Sequence, residues 1–496
     1  MRRKNYIYFF RRAFVAMLIL AVAQFVPSLS HARDKGGLSI LRDAEIESTL
    51  RLLSEPIFIA AGLDPNSVRT FLVRDKTLNA FVAGGQNVFL HTGLLLAADN
   101  VDEVIGVIAH ETGHISGSHL ARYEEGLKGA TAYSVLGVLL GAAAIAAGSG
   151  DAGMAVMMGS QEAARRSVLS YSRIQESAAD QAAITFLDKT QQSSKGLVSF
   201  LDQLGEQELL ITKNRDPYVR SHPVTSERIS RLHDNVNKSP YANAPSRPEY
   251  VEAFKRMQAK LFGYLKPPEV TLQKYPESDQ SLYAYYARTF AYYRQHDVKS
   301  ALREIDTLIT RYPHDPYFYD TKGQILFENG FLDDAVRAYE EAVRYEPDQA
   351  MFRISLAQAM LSLEQPILNG PAVKHLQFAV SREPYNSFAW RQLSIAYNRA
   401  GNEAMQRLST AEEFLLTGKL EPAIVNAKKA QESFEKNTPA WVRAQDIQMT
   451  VESLMLQRGQ KTKPKKDSSA TQEHQHGYVS AYHEKYQELN TIWAMH

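Results

Sequence analysis

The chain is organised around residues 104–120, Val104-Ile-Gly-Val-Ile-Ala-His110-Glu111-Thr-Gly-His114-Ile-Ser-Gly-Ser-His119-Leu120. Four of the first five residues are aliphatic and β-branched, and their spacing predicts one buried stripe of a helix. Asn100 and Glu103 precede this stripe and match a capping box, so we expect the helix to begin there. At about 100° per helical residue, His110 and His114 stand one above the other on a single face.

Together with Glu111, these histidines make the pattern His-Glu-x-x-His. Two imidazoles at this spacing can bind one metal ion while the glutamate points at the same ion from the side. The arrangement leaves one coordination position for water, and a carboxylate beside that water can accept its proton as it attacks a peptide carbonyl. The pattern therefore indicates a zinc peptidase, and the alternative is a buried helix that carries these residues by chance.

Length and composition limit the other possibilities. The 496 residues exceed one ordinary domain and predict two or three, and a hydrophobic content of 44% is ample for their cores. Five basic residues and no acid lie in residues 1–32, so the rest of the chain has more acidic than basic residues despite the formal charge of +1. This charge balance does not suggest a nucleic-acid-binding protein. The chain has no cysteine, which excludes disulfides and leaves His, Glu and Asp as zinc ligands.

Residues 1–32 have the organisation of an export signal. A basic start is followed by an apolar run from Ala13 to Val26, by Pro27, and by a small residue at Ala32, after which we expect cleavage. The apolar run is shorter than the roughly 20 residues of a membrane span, so a retained anchor is the less favoured alternative. The signal predicts secretion to a bacterial periplasm.

Residues 33–265 are predicted to form the peptidase domain. Residues 42–62 have helical spacing, residues 68–73 alternate as a strand, and residues 81–93 mix strand formers with the pair Gly84-Gly85. An edge strand beside the active-site helix can hold an extended substrate by backbone hydrogen bonds. The alternative is a hairpin that only covers the core.

A third zinc ligand must come from elsewhere in the chain, and Ser172-Arg173-Ile-Gln-Glu176-Ser-Ala-Ala-Asp180 is the best candidate. Glu176 and Asp180 are one helical turn apart and share a face. Glu176 can then bind the metal while Asp180 accepts a hydrogen bond from the far nitrogen of a ligand histidine. The alternative is a solvated helix face.

Metzincins use a third histidine instead, in the pattern His-Glu-x-x-His-x-x-Gly-x-x-His. Gly117 has the right position, but the third histidine would be residue 120, which is Leu, and His119 is one residue early. On a continuing helix His119 would be rotated by about 140° from His114, so it would face away from the ion. We therefore interpret His119 as a hydrogen-bonded structural residue.

Over roughly residues 40–235 the chain resembles the HtpX-like and CAAX-prenyl-protease-like zinc endopeptidases, which are gluzincins. The resemblance rests on Asn79-Ala-Phe81 with Gly84-Gly85, His110-Glu-Thr-Gly-His114 with His119, Ser-Arg-x-x-Glu176-x-x-x-Asp180, and Ser221-His222-Pro223-Val-Thr225-Ser-Glu-Arg228-Ile. It implies one zinc ion per subunit, bound by His110, His114 and Glu176, with Glu111 as general base.

The resemblance leaves two roles open for His222. In one, His222 and Arg228 donate hydrogen bonds to the oxyanion of the tetrahedral intermediate, a form of electrostatic stabilisation. In the other, His222 is a fourth protein ligand that displaces the catalytic water and holds the enzyme latent. Pro223 and Thr225 favour a helix start just after it.

An apolar insertion separates the two ligand motifs. Residues 129–160 contain no lysine or arginine, and Asp151 is their only charged residue. We predict a helical hairpin packed on or over the cleft, where it would restrict substrate entry. Contact with lipid or with an apolar partner is the alternative.

Residues 270–450 contain a repeat. Ala301, Ala335 and Ala372 are 34 and 37 residues apart, and the same intervals separate prolines 313, 347 and 384. Period 34, with paired helices and a terminal proline, is typical of tetratricopeptide repeats, whose concave surface usually binds a protein. We expect the extra residues 366–371 to lengthen a loop, and a purely stabilising helical region is the alternative. Residues 451–496 are predicted to be a flexible tail with a terminal helix at 478–494.

These features predict a mainly α (α+β) protein, in which a gluzincin peptidase domain with a small β-sheet precedes an α-α superhelix of repeats. The resemblance to repeat-bearing periplasmic members of the family implies a quality-control endopeptidase. It would degrade misfolded or misassembled outer-membrane proteins and dock its repeats on a protein partner such as the barrel-assembly machinery. The alternatives are a chaperone or scaffold with a mostly latent peptidase, and an enzyme of general turnover without such docking.

Overall fold

A computed structural model describes residues 38–119, 150–210 and 222–461. The predicted signal peptide, the predicted terminal helix and residues 129–149 of the predicted hairpin lie outside the described residues. Within the described ranges, no helix combines the length and the apolar character that crossing a membrane requires.

The described residues form a sheet of four short strands near the start of the chain. The strands are β1 (Ile40–Leu41), β2 (Arg69–Val73), β3 (Ala80–Ala83) and β4 (Asn87–His91), in the order β1-β2-β4-β3. β2 and β4 are parallel, and the other two pairs are antiparallel. Gly84 and Gly85 both have positive φ, which lets the chain turn tightly between β3 and β4. The strand formers of residues 81–93 thus lie in β3 and β4, which form a β-hairpin, and β3 lies at one edge of the sheet.

Helices make up most of the rest of the described chain. In the first half they are α1 (Ala44–Ala60), α2 (Thr92–Ala97), α3 (Val101–Ser116), α4 (Gly150–Lys189), α5 (Lys195–Leu210), α6 (Ser226–Lys238) and α7 (Pro248–Leu265). The second half contains α8 (Pro268–Lys274), α9 (Leu282–Arg294), α10 (Val298–Arg311), α11 (Pro316–Glu328), α12 (Leu332–Tyr345), α13 (Ala350–Ser362), α14 (Pro366–Arg382), α15 (Ser387–Arg399), α16 (Glu403–Leu416), α17 (Leu420–Ser433) and α18 (Pro439–Lys461). The predicted fold class, mainly α with a small sheet followed by helical repeats, is confirmed.

Helix α3 begins as the capping pattern predicts. The side chain of Asn100 accepts a hydrogen bond from the backbone N–H of Glu103 at 3.2 Å, while the Glu103 carboxylate accepts one from the N–H of Asp99 at 3.0 Å. The aliphatic stripe after it is completely buried and packs into a core that extends from Ile46 to Leu261. Burial of that stripe fixes the orientation of the opposite face, which carries the histidines.

Close packing of α3 on α4 and α5 depends on two glycines of α3. A Cβ on Gly106 would lie 2.6 Å from the backbone nitrogen of Leu197, and one on Gly113 would lie 2.7 Å from the backbone oxygen of Ala179. Any larger residue would push these helices apart. Gly113 lies between the two histidines of the motif, so it lets α4 approach where its acidic side chains are needed.

The repeats form antiparallel helix pairs in which the three periodic alanines are fully buried. The prediction that residues 366–371 lengthen a loop is wrong, because they form the first turns of α14. Pro366 occupies the first helical position, where no N–H is needed, and Pro371 is accommodated within the helix. Residues 451–461 of the predicted tail are also helical, since Val451 and Leu454 are buried in the last apolar cluster.

The start of α1 joins the first half of the chain to the repeats. Ala44 packs in one buried cluster with Ala342 and Phe352. Beside it, Glu45 is 4% exposed and forms ion pairs with Arg256 and Lys260 of α7 at 2.7 and 3.3 Å. The adjoining pairs are Arg256 with Asp315 at 2.6 Å, Lys260 with Asp43 at 2.7 Å, and the hydroxyl of Tyr286 with Glu45 at 2.5 Å. A buried ionic network therefore connects the two halves.

Candidate active site

The α3 helix presents His110, Glu111 and His114 at the centre of the first half of the chain. His110 and Glu111 are completely buried, and the side chain of His114 is 13% exposed. Because the aliphatic stripe of α3 faces the core, the opposite face with these residues lies toward α4. Helix α4 contributes Glu176 and Asp180. His222 lies just before α6 and Arg228 lies in its first turn, where the Thr225 hydroxyl accepts a hydrogen bond from the backbone N–H of Arg228 at 3.2 Å.

Among the described residues, four side chains bring one donor atom each to within 4.8 Å of one another. Nε2 of His110 and Nε2 of His114 are 3.1 Å apart; the His110 nitrogen is 3.3 Å from Oε2 of Glu176, and the His114 nitrogen is 3.3 Å from Oε1. Nδ1 of His222 lies 3.3 Å from the His110 nitrogen and 3.1 Å from Glu176 Oε1. These four residues, His110, His114, Glu176 and His222, could together hold a metal ion, and we call them the donor cluster.

The spacing of these atoms fits a metal of zinc's size. Nitrogen and oxygen ligands lie about 2.0–2.1 Å from zinc, so the corners of a tetrahedron around it are about 3.3 Å apart. The separations of 3.1 to 3.3 Å, measured to the nearer Glu176 oxygen in each case, are close to that edge length. Two imidazoles and one carboxylate are also the donor types that zinc accepts when no thiolate is present.

Asp180 lies beside the far nitrogen of His110. Its Oδ1 lies 2.9 Å from His110 Nδ1, and the carboxylate also accepts two hydrogen bonds from Arg228, at 2.7 and 2.8 Å. Burial by itself raises the pKa of Asp180, but the Arg228 charge and these hydrogen bonds outweigh it and lower the pKa to about 2. Asp180 is therefore an anion at neutral pH.

Arg228 also reaches Glu176. Its guanidinium lies 2.8 Å from Glu176 Oε2 and donates to the carbonyl of Pro223 at 3.3 Å. Burial raises the pKa of Glu176, but electrostatic attraction to His222 and the hydrogen bonds from the three histidines hold it well below its usual range. The structure thus directs Arg228 at the two carboxylates of α4, a pairing that the sequence did not predict.

The two histidines of α3 have opposite electrostatic environments. Burial opposes a charge on His110, but hydrogen bonds to Asp180 and Glu176 raise its pKa to about 9. Burial is the main cause that lowers the pKa of His114. The His110 ring lies between the carboxylates of Glu176 and Asp180. The His114 ring has Glu176 on one side, but its far nitrogen, Nδ1, faces no carboxylate of the described residues.

Glu111 has a different environment from the other acids. Both of its carboxylate oxygens are buried, and neither has a hydrogen-bond partner among the described residues. Oε1 lies 3.5 Å from Nε2 of His222. A buried carboxylate whose oxygens have no hydrogen bond is costly unless a ligand or water completes the site, so this carboxylate fits the position of a base beside a bound water.

The predicted path of the chain after His114 is wrong in one respect. Helix α3 ends at Ser116 instead of continuing, and Ser118 has a left-handed conformation with φ of 52°. His119 turns back and places its Nδ1 3.0 Å from Nδ1 of His114. The interpretation of His119 as a hydrogen-bonded residue agrees with this position, although its partner could not be read from the sequence.

A metallopeptidase centre is defined by two histidines one turn apart on one helix, an acid from a second helix, and an adjacent carboxylate whose oxygens accept no hydrogen bond from any described residue. The comparisons with known proteins agree. Residues 41–236 match the model of Peptidase family M48. The chain is 27% identical over 368 residues to the β-barrel assembly-enhancing protease of Yersinia pestis, covering 72% of this chain and 74% of that protein. It is 25% identical over 369 residues to the protein of the same name from Escherichia coli K12, with the same coverage.

Residues 41–236 are therefore similar to Peptidase family M48, and the protein is a metalloprotease. The family match includes strands β2 to β4 and all four residues of the donor cluster. The similarity to the two relatives extends beyond the family match, because 368 residues are more than residues 41–236 contain.

Proposed function

We propose that the protein is an exported zinc endopeptidase of periplasmic protein quality control, which degrades misfolded or misassembled outer-membrane proteins. The meeting of four donor atoms beside the unpartnered carboxylate of Glu111 is the observation that carries the catalytic part of this proposal. The names of the relatives and the signal-like residues 1–32 support the compartment and the substrate class. The repeats are the proposed surface for a protein partner, such as the barrel-assembly machinery.

We infer the following division of the chain. Residues 1–32 are the signal peptide, residues 33–265 the peptidase domain, residues 270–450 the repeat domain and residues 451–496 a tail. Two separate clusters of buried apolar residues support the central boundary. One extends from Ile46 to Leu261, and another from Leu326 to Tyr397.

His110, His114 and Glu176 would hold the zinc ion. When bound, zinc supplies Lewis acidity, which polarises a peptide carbonyl and makes water more acidic. Glu111 then accepts the proton of the attacking water and delivers it to the leaving amine. Asp180 fixes the tautomer of His110 by accepting its Nδ1–H, and Arg228 holds both acids of α4 in place.

An extended substrate would lie along β3. This strand is at the edge of the sheet and lies next to α3. Edge strands offer backbone donors and acceptors in a fixed row, which suits an unfolded chain of any sequence. Selection by backbone rather than by side chains is what a quality-control peptidase needs.

A second candidate function is a chaperone or scaffold whose peptidase is mostly latent. One observation favours it, since Nδ1 of His222 lies as close to His110 and Glu176 as these two lie to each other. As a fourth ligand, His222 would take the coordination position that catalysis leaves for water. In its other proposed role, His222 donates a hydrogen bond to the oxyanion.

The decisive experiment compares digestion of an unfolded outer-membrane protein by the unaltered protein, Glu111→Gln and Glu340→Gln. Glu340 is an exposed acid of α12, so Glu340→Gln is a matched control for loss of one carboxylate. We expect Glu111→Gln to bind zinc but to lose at least about 100-fold in turnover, the usual contribution of a general base. Equal digestion by Glu111→Gln, or by chelator-treated protein, would contradict the catalytic assignment.

Docking is tested separately, with the full-length Glu111→Gln protein as bait. Capture of the barrel-assembly machinery from outer-membrane extracts, lost when Tyr319, Lys322 and Arg337 in the groove between α10, α11 and α12 are replaced by alanine, would support the proposed partner. Active peptidase that captures no component of this machinery would instead support general turnover.

A further inference from the structure

The turn after α3 is built to return one side chain to the metal centre. Ser118 has φ of 52°, a conformation that reverses the chain, and His119 is 7% exposed after that reversal. Its ring lies directly over Gly117, where a Cβ would be 2.3 Å from His119 Nε2. The glycine and the left-handed residue are both needed for this close return.

The returned ring contacts the ligand histidine that has no carboxylate at its far nitrogen. Nδ1 of His119 is 3.0 Å from Nδ1 of His114, and the two rings meet edge to face at a centroid distance of 5.0 Å. Nε2 of His114 points into the donor cluster, 3.3 Å from Glu176 Oε1. With Nε2 free to bind a metal, the proton of His114 is on Nδ1, and His119 Nδ1 accepts it.

The position of His119 is held from a second direction by α4. The side-chain amide of Gln175 donates to the backbone oxygen of His119 at 3.2 Å. Gln175 is 9% exposed and immediately precedes Glu176. The helix that supplies the carboxylate ligand therefore also fixes the residue that contacts His114.

We propose that His119 is a positioning residue of the metal centre, which sets the tautomer and the ring orientation of His114. It does for His114 what Asp180 does for His110, with an imidazole nitrogen as acceptor in place of a carboxylate oxygen. The inference rests on the proposed zinc function, because orienting His114 has a consequence only if His114 binds the ion.

The test measures metal affinity, which a merely structural residue would not alter. Zinc dissociation constants of the full-length protein, His119→Phe and His119→Asn are determined by competition with a chromophoric chelator, and the visible spectrum is recorded with Co²⁺. In His119→Asn, Oδ1 takes the place of Nδ1 and keeps an acceptor. We expect His119→Phe to bind zinc about 10–100-fold more weakly, the usual cost of removing a partner of a ligand histidine. His119→Asn should remain close to the unaltered protein, with the same Co²⁺ spectrum.

A second variant keeps the imidazole and moves it. Gly117→Ala places a methyl group where the His119 ring lies, so it should weaken zinc binding while circular dichroism of the metal-free protein stays unchanged. Zinc binding by His119→Phe as tight as that of the unaltered protein would overturn the positioning role and leave the zinc function intact. Equal weakening by His119→Phe and His119→Asn would also overturn it, since the acceptor would then not matter. Failure of the unaltered protein to bind zinc would overturn both.

Discussion

Replacing Lys260 tests whether the buried ionic network between the two halves of the chain stabilises the protein. The Lys260 ammonium lies 2.7 Å from Asp43 and 3.3 Å from Glu45, and the side chain is 7% exposed. We expect Lys260→Met to destabilise the whole protein, because it removes the charge and keeps the length of the side chain. Glu45 would remain buried with one cation fewer.

The expected loss in the free energy of unfolding depends on which charges remain around Asp43 and Glu45. Removing one partner of a buried ion pair costs about 3–5 kcal/mol, because the other charge is left uncompensated. Here Arg256 remains 2.7 Å from Glu45, and Asp43 is partly solvated, so we expect a smaller loss of about 2–3 kcal/mol. The same change at Lys322 is the matched control. Lys322 forms an ion pair of the same length, 2.7 Å, with Asp306, but these side chains are 31% and 49% exposed. Its loss should cost under about 1 kcal/mol.

The assay is urea unfolding of the metal-free protein, followed by circular dichroism and by tryptophan fluorescence. Trp390 and Trp441 report on the repeats, whereas circular dichroism reports on all helices. Lys260→Met should lower the midpoint seen by both probes, since the network joins the halves. Equal midpoints for Lys260→Met and Lys322→Met would refute the reasoning, as would a shift confined to one probe.

Three further predictions concern pH, latency and metal. Burial and the negative charges of Asp43 and Glu45 outweigh the effect of Lys260 and raise the pKa of partly buried Asp320 to about 7. Between about pH 4 and 7 the folded state therefore binds a proton that the unfolded state has lost, so the protein loses stability as the pH rises through this range. Asp320→Asn should therefore raise the free energy of unfolding at pH 8 by about 2 kcal/mol, after allowance for solvent, and leave it unchanged at pH 4; an equal gain at both values would contradict this. His222→Ala should raise peptidase activity severalfold if His222 closes the fourth corner of the donor cluster, whereas a loss of activity would support the oxyanion role. Zinc at about 1,000 times its dissociation constant should raise the free energy of unfolding by about 4 kcal/mol over chelated protein, and calcium should not replace it.

Local spacing was enough to predict much of this protein. The start of α3, the shared face of His110 and His114, and the repeat period of the second half all depend on residues within a turn or one repeat of each other. Backbone geometry alone fixes such relations, so no knowledge of the packing was needed. The prediction failed where local rules have two outcomes, as at Pro366, where proline can end a loop or begin a helix.

Tertiary packing decided the relations between distant parts of the chain. Glu176 reaches the histidines because Gly113 lets α4 come into contact with α3, and Arg228 contacts Asp180 because α6 packs behind them. The return of His119 to His114 required a left-handed Ser118, which helical spacing could not reveal. By itself the sequence determined which side chains could bind a metal and on which helix faces they lie. Only the folded structure set the distances between them, because those distances depend on how closely separate helices pack.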